Sequence, residues 1–596
     1  MRELTVPAMV AVPDEANLSD LVVDNAIRSP HRVQFRRQTD GRWEDVTCRD
    51  FLAEVSSLAK GLMASGVQPG ARVAIMSRTR YEWTLADFAL WAAGAVPVPI
   101  YETSSAEQVQ WILSDAAAVG CFVEQSAHAE VVESVRASLP DLAHVWSFDP
   151  DSLEALVAAG RDISDADLEE RRRTLRADSL ATLIYTSGTT GRPKGCELTH
   201  RNFQSGADNV VAGLGGVFAP GRSTLLFLPL AHVFARAIEI GCVSSGVTMG
   251  HTADAKALLP DLAVFQPTFL LSVPRVFEKI FNGAQAKATA DGKGRIFDRA
   301  ADVAISYSEA LDKGGAGVAL RVQHALFDRL VYGKLRALMG GKVEFAVSGG
   351  APLGARLGHF FRGIGVTILE GYGLTETAAA STVNRPGAIR IGSVGQPIPG
   401  CGVRIAADGE VELSGAHIFV GYWNNDADTK AVFDDGWFRS GDIGELDADG
   451  FLTITGRKKE ILVTAAGKNV APAVLEDRIR AHALVSQCMV VGDNRPYIAA
   501  LITLDVEALP GWLAAHDRPA DTPVASLVHD AAVVAAMQAA VDDANLAVSK
   551  AEAIKKFVIL PVDFTEEGGQ LTPTLKLKRG VVMKDFADDV TGLYES

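Results

Sequence analysis

The apolar run Leu180-Ala181-Thr182-Leu183-Ile184-Tyr185 leads straight into Thr186-Ser187-Gly188-Thr189-Thr190-Gly191-Arg192-Pro193-Lys194-Gly195. This junction constrains the chain more than any other stretch. It reads as a loop leaving a buried strand. The loop carries three glycines, four aliphatic hydroxyls and a lysine. Glycines let backbone N–H groups approach an anion, hydroxyls add donors, and lysine adds a point charge, which together make a phosphate cradle. It is not a Walker A loop, because Pro193 separates Gly191 from Lys194 and no Ser or Thr follows that lysine. A plain flexible turn is the alternative, and the remaining motifs decide against it.

The 596 residues are enough for several domains, with 48% hydrophobic and 22% charged residues, as in ordinary globular chains. A net charge of -16 argues against broad nucleic-acid binding, which needs a basic face. The six cysteines are scattered, without a CxxC pair or metal-ligand spacing, and imply buried free thiols in a reducing compartment. Residues 1–20 lack the apolar core of a signal peptide, and the apolar run 85–100 is broken by Asp87, Gly94, Pro97 and Pro99. The expectation is a cytoplasmic chain with at most peripheral membrane contact. Neither an amphipathic basic anchor nor an oligomeric state is legible.

Strand-like runs alternate with alanine-rich amphipathic runs over the first 450 residues, as in 72–76, 83–93 and 96–101. That alternation predicts an α/β fold with parallel or mixed sheets covered by helices. Further strands are predicted at 224–228, 268–272, 343–347 and 366–369, the last two running into glycine turns. Such turns gather ligands at strand ends. Residues 284–317 are polar and precede a helical pattern at 320–339, which predicts an inserted, solvated helical hairpin. Beyond residue 450 the elements shorten, with a helix at 472–482 and strands at 487–491 and 498–503. This predicts a large domain over 1–456 and a smaller α+β domain over 457–596.

Glu376 stands in the hydroxyl-rich Thr375-Glu376-Thr377, an oxygen set suited to a hard cation that is also held by nucleotide phosphates. Ser348-Gly349-Gly350-Ala351-Pro352 is a second glycine turn after a strand. Asp442, in Ser440-Gly441-Asp442, is a carboxylate able to accept two ribose hydroxyls, or else an ordinary turn residue.

With the loop at 186–195, these stretches resemble the adenylate-forming superfamily of acyl-CoA synthetases, luciferases and peptide-synthetase adenylation domains. The ordered motifs are Gly371-Tyr372-Gly373-Leu374-Thr375-Glu376-Thr377, Ser440-Gly441-Asp442, Gly456-Arg457-Lys458-Lys459 and Thr572-Pro573-Thr574-Leu575-Lys576-Leu577-Lys578-Arg579. The likeness runs from about residue 40 to the C-terminus. It implies a large multi-layer α/β domain with a mobile α+β C-terminal domain, and ATP, Mg2+ and coenzyme A as cofactors.

By resemblance the nucleotide is held by Thr186, Ser187, Gly188, Thr189, Thr190, Gly191 and Lys194, and by Gly349, Gly350, Ala351, Glu370, Gly371, Tyr372, Gly373 and Thr375. Tyr372 packs on adenine, Asp442 takes the ribose, Arg457 contacts ribose and phosphate, and Thr186 and Glu376 flank magnesium. Lys459 matches the hinge. Lys576 matches the lysine that bridges acyl carboxylate and α-phosphate, with Lys578 as a second match close by. His232 matches a histidine near the acyl and thiol region. Some long-chain members carry a gating tryptophan four residues later, where this chain has Arg236. Gly467 matches the loop that lines the pantetheine route, although Ala466 replaces a glycine there.

The stretches 229–234, 272–279 and 492–497 look most like long-chain fatty acyl-CoA synthetases. The expected reaction is ATP-dependent joining of a long-chain fatty acid to coenzyme A through acyl-AMP. The rival readings are a fatty acyl-AMP ligase feeding a carrier protein, a luciferase-like oxygenase, and a non-catalytic acyl-binding protein.

Overall fold

In the computed structural model the strand Arg72–Met76 sits between Val96–Ile100 and Gly120–Val123 in a four-stranded parallel sheet completed by His144–Ser147. The structure describes residues 1–39, 41–186, 192–254, 257–516, 518–572 and 575–595. Nearly every side chain of the helix Tyr81–Ala92 is buried, which is why it shows no amphipathic stripe and reads apolar all round.

Two further sheets share this mixed α/β build. One joins Ser223–Leu226, Thr248–His251 and Val33–Thr39 in parallel and ends with antiparallel Arg42–Thr47. The other runs Phe269–Ser272, Phe345–Ser348 and Thr367–Leu374 in parallel, then Ala379–Val383 antiparallel. The glycine turn expected after residue 369 is instead strand, since Thr367–Leu374 continues through Gly371, Tyr372 and Gly373. Glycine is what permits this. A Cβ on Gly373 would lie 1.5 Å from the Ala379 carbonyl oxygen, and the register slips there between Tyr372 and Gly373.

The stretch 396–457 departs from the predicted strand–helix alternation. Cys401–Ile405, Glu410–Gly415, Trp437–Leu446 and Leu452–Arg457 form successive antiparallel pairs in a six-stranded sheet whose outer edge is Glu3–Thr5. The inserted segment is more helical than a hairpin: Pro274–Ala290, Gly294–Asp312 and Val318–Phe327 follow one another. Its polar composition conceals a buried face of Phe297, Ala300, Ala301 and Ala304 at helical spacing.

Arg457 ends the strand that pairs with Asp442, and the chain then passes through a 3-10 turn, Lys458–Glu460. Beyond it a smaller unit has its own sheet, Val485–Val491, Ile498–Leu504 and Ile554–Ile559. The helices Pro472–Arg480 and Ala531–Asn545 cover it, with Leu475, Ile479, Met537 and Val541 in a separate core. Among the described residues, no helix is long and apolar enough to cross a membrane.

Candidate active site

The hairpin that carries the loop, the strand Thr367–Leu374, the turn at Lys458–Glu460 and the segment around Lys576 enclose one cavity of about 720 Å³. Thr186 is the last residue of Leu180–Thr186 and pairs in register with Lys194, the first residue of the returning strand; both line the cavity. Ser187, Gly188, Thr189, Thr190 and Gly191 lie outside the described residues. Lys194 Nζ is 2.6 Å from Asp428 Oδ2 and 5.1 Å from the centre of the Tyr422 ring. The Tyr422 hydroxyl in turn donates to Glu376 Oε1 at 2.8 Å. Tyr422 and Asp428 are therefore site residues that sequence reasoning missed. The former sits in a two-residue strand, Gly421–Tyr422, too short to show a period.

Tyr372 and Arg457 line the cavity and between them hold both oxygens of buried Asp442. The Tyr372 hydroxyl donates to Oδ2 at 2.7 Å, and Arg457 Nε donates to Oδ1 at 2.9 Å. Burial, then the Asp442 charge, pushes the Tyr372 phenol well above its ordinary range, so it stays a donor. Gly349, Gly350, Gly371, Gly373 and Thr375 also line the cavity. Gly350 has φ +83° and nothing within 4 Å of where a Cβ would stand, so the lining is open at that point. Ala351 and Glu370 stand outside that lining. The Glu370 carboxylate accepts the Leu353 N–H at 3.1 Å, and burial pushes its pKa up to about 7.

Lys576, a solvent-exposed residue, also lines the cavity. Crowding by protein atoms, then the Arg457 charge, lowers its pKa from the usual lysine range. The backbone N–H of Lys576 donates to Thr572 Oγ1 at 3.0 Å, which helps fix the turn that presents it. Lys578 is outside the cavity lining and caps the helix Arg579–Asp585. The geometry thus favours Lys576 of the two sequence matches.

His232 caps the helix Val233–Ser245, its Nδ1 accepting the Phe234 N–H at 3.2 Å. Burial, then the Lys576 charge, pushes its pKa down to about 3, so the ring is neutral. With Nδ1 accepting, its proton sits on Nε2. Lys459 lies on the lining beside Lys458, which binds Asp408 at 2.6 Å and Glu410 at 2.9 Å. Gly467 is in the smaller unit, in a turn with φ +78°, outside the lining.

From His232 the cavity continues as an apolar arm between two helices, His200–Gly213 and Val233–Ser245. Val210, Val211, Leu214 and Phe218 face Ala237, Ile238 and Gly241 across it. Arg236 is on the opposite face of its helix, wholly buried, with Asp87 at 2.6 Å and Trp83, Trp91 and Phe203 around the guanidinium. Position 236 therefore does not gate this arm.

Among the described residues no group of three or more His, Cys, Asp or Glu could cage a metal ion. Glu376 and Thr186 on one cavity wall suit a hard cation that takes most of its ligands from nucleotide phosphates and water.

A two-unit α/β fold with a polar, lysine-bearing cavity that opens into an apolar arm defines the class of adenylate-forming enzymes. The chain belongs to the AMP-binding enzyme family, whose model matches residues 23–423, with the model of the AMP-binding enzyme C-terminal domain at 459–596. It is 53% identical over 597 residues to the long-chain-fatty-acid–CoA ligase FadD15 of Mycobacterium bovis, covering 100% of both chains. It is 30% identical to the long-chain-fatty-acid–CoA ligase ACSBG2 of Xenopus laevis, covering 94% of this chain and 82% of that one. Among solved structures, the A domain of a carboxylic acid reductase from Segniliparus rugosus, in complex with AMP and a co-purified carboxylic acid, superposes with a TM-score of 0.74. That match covers 97% of this chain and 94% of the other at 23% identity, a likeness of fold.

Proposed function

We infer that this chain is an ATP-dependent ligase that joins long-chain fatty acids to coenzyme A through an acyl-AMP intermediate. The observation that carries the reading is the continuity of one cavity, from the Lys194–Glu376–Lys576 wall past His232 into the apolar arm. An acyl tail laid in the arm brings its carboxylate to the cationic end. The full-length likeness to fatty-acid–CoA ligases favours coenzyme A over a carrier protein as acceptor.

In the first half-reaction a carboxylate oxygen attacks the α-phosphorus of ATP, the bond from that phosphorus to the β-phosphate oxygen breaks, and pyrophosphate leaves. Lys576 offsets the charge that gathers between carboxylate and phosphate. Asp442, oriented by Tyr372 and Arg457, receives the ribose hydroxyls. The glycines at 349, 350, 371 and 373 leave room for the adenine. Glu376 and Thr186 on the cavity wall would hold magnesium, which would supply Lewis-acid stabilisation of the phosphates. The domain over 457–596 then pivots at Lys459, withdrawing Lys576 and presenting the Gly467 loop. The coenzyme A thiolate attacks the acyl carbonyl, the bond to the AMP oxygen breaks, and AMP leaves.

A pyrophosphate-release screen across chain lengths, with and without coenzyme A, tests this reading. Long-chain acids should give a single burst without coenzyme A and turnover with it. No release with any acid would overturn it.

Peripheral lipid contact fits the surface. Val318, Val322, Leu326 and Leu330 form an exposed apolar stripe on and just beyond the helix Val318–Phe327. Arg321, Arg329 and Lys334 flank it, and Asp328 is already paired with Arg336 at 2.7 Å. Such a face suits an anionic bilayer. Co-sedimentation with anionic but not neutral vesicles, lost in Val322→Glu, is the expected result; equal recovery with both vesicles argues against it.

A further inference from the structure

Away from the cavity, the helix Pro274–Ala290 of the larger unit meets the smaller unit through a second set of charges. Arg275 Nη2 donates to Asp505 Oδ2 at 2.8 Å, and one turn later Lys279 Nζ reaches Glu507 Oε2 at 2.8 Å. The other Asp505 oxygen accepts the N–H groups of Glu507 at 2.9 Å and Ala508 at 3.3 Å. One carboxylate is thus tied to its own unit's backbone by one oxygen and to the facing unit by the other.

The two pairs differ in shielding. The Arg275 and Asp505 side chains are 21% and 15% exposed, whereas Lys279 and Glu507 are 53% and 74% exposed. The inner pair is geometrically fixed and little screened; the outer one is solvated and readily broken. Along these pairs the larger unit supplies the cations and the smaller one the anions. Glu278 reverses this pattern: it accepts from Arg275 at 3.1 Å and faces the charges of Asp477 and Arg480 on the helix Pro472–Arg480.

A body joined through one turn at Lys458–Glu460 keeps rotational freedom, and a contact far along the chain removes it. The hydrogen bond from Thr103 to Glu566 adds a third point of attachment. With all three made, Lys576 lines the cavity.

We propose that Arg275–Asp505, supported by Lys279–Glu507, is an electrostatic latch that holds the smaller unit in the acyl-AMP-forming orientation and opens for thioester formation. The proposal rests on the two-step ligase reading. Arg275 and Asp505 are positioning residues: they touch no reacting atom and act through the placement of Lys576. The latch favours one of two orientations, so its loss shifts their populations and changes the two half-reactions in different directions.

The test measures both half-reactions separately: pyrophosphate release from acid and ATP without coenzyme A, and thioester formation from supplied acyl-AMP and coenzyme A. Arg275→Glu should slow the first by about 10-fold and leave the second within about twofold or faster. The Arg275→Glu/Asp505→Arg exchange should recover most of the first.

Because Asp505 also caps backbone N–H groups, a second exchange is made at the exposed pair, where folding is not at stake. Lys279→Glu should slow pyrophosphate release about two- to threefold, and Lys279→Glu/Glu507→Lys should restore it. Raising ionic strength should slow wild-type adenylation more than thioester formation. Unchanged adenylation in both single variants, equal loss of both half-reactions, or no recovery in the exposed exchange would overturn the latch. Absence of pyrophosphate release from the wild-type chain would instead overturn the ligase reading.

Discussion

Arg236 Nη2 lies 2.6 Å from Asp87 Oδ1, with both side chains wholly removed from solvent. Nη1 of the same guanidinium donates to Thr182 Oγ1 at 2.7 Å, so the pair ties two helices to the strand that ends at Thr186. At the position where some relatives gate the acyl route, this chain builds a core ion pair instead. Breaking one partner of such a pair strands the other charge, at a cost of about 3–5 kcal/mol. Arg236→Ala should therefore lower unfolding stability by that order, while the folded fraction keeps the wild-type chain-length profile. A shifted profile at unchanged stability would restore the gating role.

Lys576 carries the clearest separation of the two chemical steps. Lys576→Ala removes the cation that lines the cavity near His232 and Glu376, and should slow acyl-AMP formation by about 100- to 1,000-fold. Thioester formation from supplied acyl-AMP should stay within a few-fold of wild type. Equal loss of both steps would sink the two-orientation mechanism.

The strand Leu180–Thr186 and the placing of Thr186, Glu376 and Lys576 on one cavity lining were legible because each lies in a short run of residues whose chemistry is local. Tyr422, Asp428 and the Arg275–Asp505 contact were not. Each acts through a partner distant in the chain, as Tyr422 does on Glu376, and no period or spacing marks such pairs. Gly371 and Gly373 looked like turn residues because glycine serves both turns and close strand approach, and only the Ala379 carbonyl beside Gly373 decides between them. The antiparallel sheet over 401–457 escaped the alternating pattern because its strands follow one another without helices between most of them. The apolar arm was invisible for a simpler reason: Val211, Phe218 and Gly241 look like any core residues until the cavity they line is seen.

Glu239 sets a pH dependence of stability. It is wholly buried near Asp87, and burial, then that neighbouring charge, pushes its pKa up to about 8 from an ordinary 4.5. A carboxyl raised on folding binds more protons in the folded state than in the unfolded one. Its contribution is therefore fully present below about pH 4.5 and is lost as pH rises through about 8. Asp87, raised to about 6 by burial, acts in the same direction over a lower window. Unfolding stability should fall between pH 5 and 8, and Glu239→Gln should flatten the upper part of that slope and stabilise the chain at pH 8. An identical slope in the variant would show that Glu239 does not hold its proton.

Gly241 measures the acyl arm. It lines the cavity on the helix Val233–Ser245, and a Cβ placed there would stand 3.6 Å from Val211 Cγ2 and 3.7 Å from Phe218 Cε1. Those are ordinary contact distances, so an alanine fits, while a longer side chain must turn into the cavity that Gly241 lines. Gly241→Ala should leave the chain-length profile close to wild type. Gly241→Leu should cut kcat/KM for the longest acids about 10- to 100-fold and spare acids short enough to end before the new side chain. Methylene-scale differences in an apolar pocket are worth about 1–3 kcal/mol, which sets that range. The measurement is pyrophosphate release for an acid series with each variant. A uniform loss across all chain lengths would mean that the tail does not run past Gly241.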